Sequence, residues 1–223
     1  MDRVSVVIPS FNVEKSIQEV INRIPKEKYE IIVVDDGSKD NTGKIAKKSG
    51  VNVITHEINC GKGKAMRTGS SNAKGEIIVF IDADLQHRPE DIPRLVEPIQ
   101  NGRADITIGS RLIGDISNMP IQRKITNFSS TVLIRLFFGV KILDTQSGYR
   151  AIKRDFLEKM NLESNRYNIE TEVLAYVGKF HMRVEEVPIE TIYGDEKSHF
   201  KMRDIIKFIY LLFYLKLNKM RKK

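Results

Sequence analysis

The chain has 223 residues, 41% apolar and 30% charged, with a formal net charge of +8; that is ordinary for a folded protein and enough for one large domain or two small ones. A single cysteine, Cys60, excludes an internal disulfide framework and a zinc site built on cysteines. No N-terminal apolar run with a cleavage site and no repeat or linker is visible, so no signal peptide and one main domain are expected.

The charge is uneven. Residues 201–223 carry eight Lys and Arg against Asp204 alone, a net +7, which leaves the rest of the chain near neutral. A basic chain raises nucleic acid as a partner. A basic tail on a neutral body argues against it, and no nucleic acid is expected.

In chain order, "VSVVIP" (4–9) is a short β-branched strand stopped by Pro9. Ile17, Val20, Ile21 and Ile24 recur at helical spacing over 14–24. "YEIIVVDDGS" (29–38) is a second buried strand ending in Asp35, Asp36 and Gly37, and Asp40 or Asn41 can cap a helix through Lys48. Residues 51–55 read as a third strand, and 61–73 as a helix opening on glycines. A fourth strand follows over 75–84, a helix from Pro89 to Ile99, and a fifth strand over 104–110. Strands apolar on both faces and separated by helices predict a mainly parallel central sheet covered on both faces. Such sheets bind ligands beyond the C-terminal ends of their strands, where this chain places Asp35, Asp36, Asp82 and Asp84. Beyond residue 115 the pattern predicts a helix over 120–138 and a polar turn leading into a short strand over 143–152. A helix over 168–180, a strand over 183–189 and a final helix over 201–217 complete it.

"DAD" places Asp82 and Asp84 two residues apart, and on an extended backbone such residues point the same way. Their hard oxygens suit Mg²⁺ or Mn²⁺ with phosphate oxygens completing the shell; a solvated acidic turn is the alternative. Gln86 and His87 follow on the same loop and could orient ligand oxygens. Asp36 could accept from a base or ribose, or cap a helix. "NCGKGKAMRTG" brings Lys62, Lys64 and Arg67 to a helix N-terminus, a place that attracts anions, or is a glycine-rich turn with solvated lysines. No G-x-G-x-x-G follows the first strand, and "GKGKAM" lacks the Lys-Ser or Lys-Thr of a P-loop, so neither nucleotide fingerprint is present.

The segments "VSVVIPSFN", "IIVVDDGSKDNT", "NCGKGKAMRTG", "FIDADLQHRPEDI", "GSR" and "DTQSGYRAI", in this order over about residues 3–200, resemble the family 2 glycosyltransferases of GT-A fold. Within them the chain is most similar to the dolichyl-phosphate mannosyltransferase and polyprenyl-phosphate glucosyltransferase group. The resemblance implies an α/β GT-A domain over 1–200; the residues themselves predict, over 201–223, an apolar helix with a basic tail and no full membrane span. It implies that Pro9, Phe11, Val34 and Asp36 line the nucleotide. Asp82, Asp84 and Gln86 would hold a Mg²⁺ or Mn²⁺ ion and the diphosphate, with Ala83 against the substrate. Arg111 and Arg123, with Gln146 and Arg150 of "DTQSGYR", would lie near the acceptor phosphate. Two positions depart from the family pattern: Asn12 is followed by Val13 rather than Glu, and the late donor loop offers Lys197, Ser198 and His199.

The implied reaction is inverting transfer of mannose or glucose from GDP-mannose or UDP-glucose to a polyprenyl phosphate. Lys62, Arg67, Lys197 or His199 would stabilise the leaving diphosphate. A phosphate monoester has a second pKa of about 6 and is mostly a dianion near pH 7, so it needs cations rather than a base. Asp144, Glu170 and Glu172 are bases held in reserve for a hydroxyl acceptor. A hydroxyl-directed glycosyltransferase, a nucleotidyltransferase and a non-catalytic nucleotide-sugar binder remain as alternatives. The apolar run "FIYLLFYL" (208–215) is shorter than the roughly 20 residues a span takes. Beside a basic tail it suits an interfacial anchor, or it packs on the sheet or a subunit. A membrane surface or small membrane subunit is the expected partner, on the cytoplasmic face.

Overall fold

The computed structural model describes residues 3–113, 119, 121–165, 168–190 and 202–219, with the side chains of 122, 123 and 202–205 left out. The β-branched runs become β1 (Val4–Ser10), β2 (Glu30–Asp35), β3 (Asn52–Thr55) and β4 (Ile77–Phe80), each parallel to its neighbours among these four. Three more strands, β5 (Ile106–Ser110), β6 (Arg150–Lys153) and β7 (Val184–Pro188), complete one sheet in the order β3-β2-β1-β4-β6-β5-β7. Only β6 runs antiparallel to the strands beside it, so the sheet is mainly parallel, as the sequence predicts.

Side chains alternate across each strand, and both faces are buried. Val7, Ile32, Val34, Ile78 and Phe80 belong to one core and Val6, Ile8, Ile31, Val33, Ile77 and Val79 to the other. The first core is covered by α3 (Lys62–Asn72), α5 (Ile121–Phe138), α7 (Ile169–Phe180) and α8 (Met202–Asn218), the second by α1 (Ile17–Asn22) and α4 (Ile92–Gln100). Helices α2 (Thr42–Lys48) and α6 (Arg154–Lys159) are short connectors. Gly69 lets α3 lie close on β1: a Cβ there would stand 2.3 Å from Val7 Cγ1. Helix α1 is shorter than the expected 14–24. Its first expected turn is drawn away, with Val13 N donating to Thr42 Oγ1 and Glu14 N to Asp40 Oδ2.

Helix α8 is packed along one side. Leu212 and Leu215 are buried, and the Phe213 ring meets Phe137 of α5 edge-on at 4.9 Å. Lys219, just beyond the helix, pairs with Glu163 at 2.7 Å and donates to the Asn161 carbonyl at 2.9 Å. The opposite side exposes Ile206, Tyr210, Tyr214 and Leu217, and neighbouring α5 exposes Ile121, Ile125, Phe128, Val132 and Leu136. No helix among the described residues is long and apolar enough to cross a membrane.

Asp105 ties three strands together beside the start of β5. It accepts from the Arg183 backbone N and guanidinium ahead of β7 and from Lys153 Nζ at the end of β6. The Arg183 hydrogen bonds, helped by Lys153, hold its carboxyl well below the usual range. A carboxylate with a lowered folded pKa contributes stability above its unfolded pKa of about 3.9, and loses it as pH falls toward the folded value. Asp105→Asn is therefore expected to cost about 1–3 kcal/mol at pH 7. Urea unfolding at pH 7 and pH 3 checks this, since the gap to the wild type narrows at the lower pH.

Candidate active site

The C-terminal ends of β1, β2 and β4 open on a cavity of about 430 Å³. Pro9, Ser10 and Phe11 line it from β1, Asp36 from β2, and Asp82, Ala83 and Asp84 from beyond β4. Asn59, Gly61, Lys62 and Ala65 contribute from the start of α3. Six residues implied by the resemblance, Pro9, Phe11, Asp36, Asp82, Ala83 and Asp84, thus share one cavity with Lys62.

Lys62 joins the floor of this cavity to α7. Its Nζ lies 2.7 and 2.9 Å from the two oxygens of Asp82 and 2.9 Å from Glu170 Oε1. Burial alone would pull the ammonium down, but the two carboxylates outweigh it and hold Lys62 well above its ordinary value. Burial pushes Asp82 up, and the Lys62 charge wins and keeps it low, with Arg111 also contributing. Gly148, of "DTQSGYR", sits directly on this pair: an added Cβ would stand 2.7 Å from Lys62 Nζ and 2.8 Å from Asp82 Oδ2.

The two acids converge by a different route from the one expected. β4 ends at Phe80, so Asp82 and Asp84 are not on an extended strand. Both line the same cavity from the loop beyond β4; Leu85 follows at φ 63°, and Asp84 Oδ1 accepts from the Gln86 backbone N at 3.0 Å. Gln86 itself is half-buried and outside the cavity lining. His87 is absent from the cavity lining but close enough to Asp82 for the two to interact electrostatically. It is buried against the Tyr149 ring, 5.2 Å between centroids, and burial lowers its pKa to about 4, so it is a neutral core imidazole.

Asp36 is neither solvated nor a cap of α2. Its Oδ1 accepts from Cys60 N at 3.0 Å and lies 2.6 Å from His56 Nδ1, and Oδ2 accepts from Gly61 N at 2.6 Å. His56 Nε2 stands 3.0 Å from Thr68 Oγ1 on α3. The sequence reading missed His56, although a histidine just past β3 and level with the acids of β2 was a usable signal. Asp36, His56 and Cys60 bring ligand-type O, N and S atoms within 4.8 Å of one another. A count of cysteines could not reveal that grouping.

Several cations and acids have structural partners that the sequence reading did not foresee. The N-terminus of α3 is covered: Gly63 N and Lys64 N donate to the Asn165 carbonyl. Arg67 turns the same way, to Ser164 O and Asn165 Oδ1, and lines a second cavity of about 460 Å³ with Met66, Phe80 and Arg154. The expected anion site at that helix end is therefore filled by protein acceptors. Asp144 is fully buried and accepts from Arg111 Nε at 2.7 Å, Nη2 at 2.8 Å and the backbone N at 3.0 Å. Burial works against its charge, but the Arg111 hydrogen bonds prevail and keep its pKa low, so it is a counter-ion rather than the expected base. Arg150, fully buried, donates to the carbonyls of Thr145, Ser147 and Glu170 and braces the turn instead of meeting a phosphate. Glu172 accepts from the backbone N–H groups of Glu163 and Ser164, which leaves it a loop brace rather than a base. Val34 lies wholly in the core beneath α3, behind the cavity wall, and Gln146 is exposed on the turn. The side chain of Arg123, and Lys197 and His199, lie outside the described residues.

A sheet of this order, with acids gathered over the ends of its parallel strands, is that of a GT-A glycosyltransferase. The chain aligns over 98% of its length with glucosyl-3-phosphoglycerate synthase of Mycobacterium tuberculosis, covering 81% of that chain, at TM-score 0.75 and 23% identity. Structures of that synthase hold UDP with Mg²⁺ or Mn²⁺. The family model "Glycosyl transferase family 2" matches residues 5–160, and the chain belongs to that family. It is 35% identical to the UDP-N-acetylglucosamine–dolichyl-phosphate N-acetylglucosaminyltransferase of Methanococcus voltae, over 96% of both chains. It is 36% identical to the dolichol-phosphate mannosyltransferase of Pyrococcus furiosus, over 83% of this chain and 55% of that one.

Removing Lys62 strands two carboxylates. Lys62→Met is expected to destabilise by about 3–5 kcal/mol. Glu170→Gln in the same background is expected to recover part of that loss, because one of the two unpaired charges is gone. Urea midpoints of the single and double variants test this; equal midpoints would mean that Glu170 does not share the Lys62 charge.

Proposed function

We propose that the chain transfers a hexose from a nucleoside-diphosphate sugar to a polyprenyl phosphate, inverting the anomeric carbon, as a single GT-A unit over residues 1–200 with α8 and the basic tail attached. The observation that carries this reading is the single cavity that gathers Pro9, Phe11, Asp36, Lys62, Asp82, Ala83 and Asp84 at the strand ends. The acceptor class follows the relatives, whose names specify dolichyl phosphate.

Asp82 and Asp84 present only hard oxygens to this cavity, and Asp82 already holds a cationic group between its oxygens, so these two donors fit Mg²⁺ or Mn²⁺, while Gln86 lies outside the lining. Such an ion, when bound, neutralises charge on the departing diphosphate. The chain's own residues do the rest. Lys62 keeps Asp82 ionised and adds positive charge beneath the diphosphate. Phe11, 42% exposed at the rim, offers a face to the nucleotide. Arg111, oriented by Asp144 and close enough to depress Asp82, places the acceptor phosphate near the donor; Arg123 is proposed to share that role. A phosphate dianion attacks without a base. The fixed pairing of Asp144 with Arg111 and of Glu170 with Lys62 counts against a hydroxyl acceptor, which needs one.

The exposed faces of α5 and α8 support placing the protein at a membrane surface or against a small membrane subunit; the cytoplasmic side is proposed as well and does not rest on these faces. Lys124 and Arg135 of α5 and Lys207 and Lys216 of α8 border the apolar residues. Apolar helix faces bordered by cations suit the boundary of an anionic bilayer.

Two experiments test the reading. The full chain is incubated with labelled GDP- and UDP-sugars, Mg²⁺ or Mn²⁺, and a short-chain polyprenyl phosphate. Sugar-lipid is the expected product, and Asp84→Asn is expected to abolish it with the circular dichroism spectrum unchanged. Turnover by the folded variant at the wild-type rate would remove Asp84 from the site. Separately, Phe128→Glu with Tyr210→Glu is expected to cut sedimentation with anionic vesicles at least about tenfold, in line with the loss of two buried aromatic side chains. Unchanged sedimentation would move the membrane contact elsewhere.

A further inference from the structure

Resting on the nucleotide-sugar reading above, we infer that the cavity selects a uracil-type base over guanine, and that His56 is the positioning residue that makes it do so. The inference follows from counting acceptor sites on Asp36. A carboxylate has about four lone-pair sites, two on each oxygen. Oδ1 is filled, by Cys60 N at 3.0 Å and His56 Nδ1 at 2.6 Å. Oδ2 holds one partner, Gly61 N at 2.6 Å. Among the described residues one site is left, on Oδ2, and Asp36 lines the cavity.

The bases differ in what they offer to such a group. Uracil has one ring N–H, at N3, between two carbonyls. Guanine has N1–H and the N2 amino group side by side, a pair that needs both oxygens of an open carboxylate. Adenine and cytosine pair an amino group with a bare ring nitrogen whose lone pair would face Asp36. A single remaining acceptor satisfies uracil and leaves the second donor of guanine buried without a partner, which is unfavourable. Asn59 on the same rim carries an amide able to meet a uracil carbonyl.

His56 sets this count. Its Nδ1 lies 2.6 Å from the Asp36 carboxylate and its Nε2 stands 3.0 Å from the Thr68 hydroxyl, so the ring is held from both sides. The Thr68–His56–Asp36 chain fixes the carboxylate rotation and occupies the lone pair that guanine would use. Half-buried in this chain, His56 acts on the nucleotide only through Asp36.

The test is calorimetric titration of the full chain with UDP and with GDP, each in the presence of Mg²⁺. UDP is expected to bind at least about tenfold tighter than GDP. His56→Ala should weaken UDP about tenfold and shrink the UDP-to-GDP ratio, because it frees a lone pair on Oδ1. His56→Asn, whose Nδ2–H stands where the imidazole Nδ1–H stood, should restore most of both. In turnover assays, His56→Ala should raise the donor KM with kcat changing less than about twofold. If His56→Ala does not fold, Thr68→Val, which loosens the ring from its far side, should move the ratio in the same direction. GDP binding as tightly as UDP to the wild type would overturn the inference while leaving the nucleotide site in place. A ratio unmoved in the variants would remove His56 from selection. Binding of neither nucleotide would sink the nucleotide-sugar reading itself, and this inference with it.

Discussion

The site depends on one half-buried ammonium. Lys62 sits between Asp82, which follows β4, and Glu170, which opens α7, elements 88 residues apart in sequence and on different parts of the first core. Two carboxylates brought this close would repel each other, and burial would drive Asp82 toward its neutral form. The ammonium between them removes both penalties and fixes the spacing of cavity floor and helix. Its neighbours are arranged to permit it: Gly148 has no side chain because the ion pair occupies that space, and Arg150 holds the preceding turn and the start of α7 by their carbonyls.

The same logic explains why charge at the site is mostly committed to protein partners. Arg111 and Asp144 form a closed bidentate pair, and Asp36 is surrounded by N–H groups from the loop that begins α3. Preorganised pairs of this kind do not have to rearrange when a charged substrate arrives. A cavity built this way reads its ligand through a few remaining positions rather than through a pool of mobile lysines.

The strands were legible in the sequence because parallel strands buried on both faces leave continuous β-branched runs, and β1, β2 and β4 fall where those runs end. "DAD" was legible as a pair but not as a geometry: β4 stops at Phe80 and both acids line the cavity from the loop beyond it, which strand periodicity cannot anticipate. Asp144, Arg150 and Arg67 were read as chemistry and are bracing. Asp144 and its Arg111 partner stand 33 residues apart, and Arg67 and Ser164 97 apart, so local pattern carries no trace of the pairing. His56 was overlooked for the converse reason, since alone in its segment it has no motif around it. Helix α8 was ambiguous from its apolar run, and the ambiguity reflects a helix with two working sides, one packed on α5 and one exposed.

The reversed direction of β6 has a consequence for how such a protein can diversify. Because β6 runs against β4 and pairs Arg150 with Phe80, the chain enters it at the end of the sheet where the other strands leave. The turn that precedes β6, not the one that follows, therefore meets the cavity. Lys62 and Asp82 line the cavity from the first hundred residues, and Gly148 of that turn lies directly against both. Exchange of residues in that turn can reshape the approach to the cavity while β1, β2 and β4 keep their register, so the fold is modular on that side.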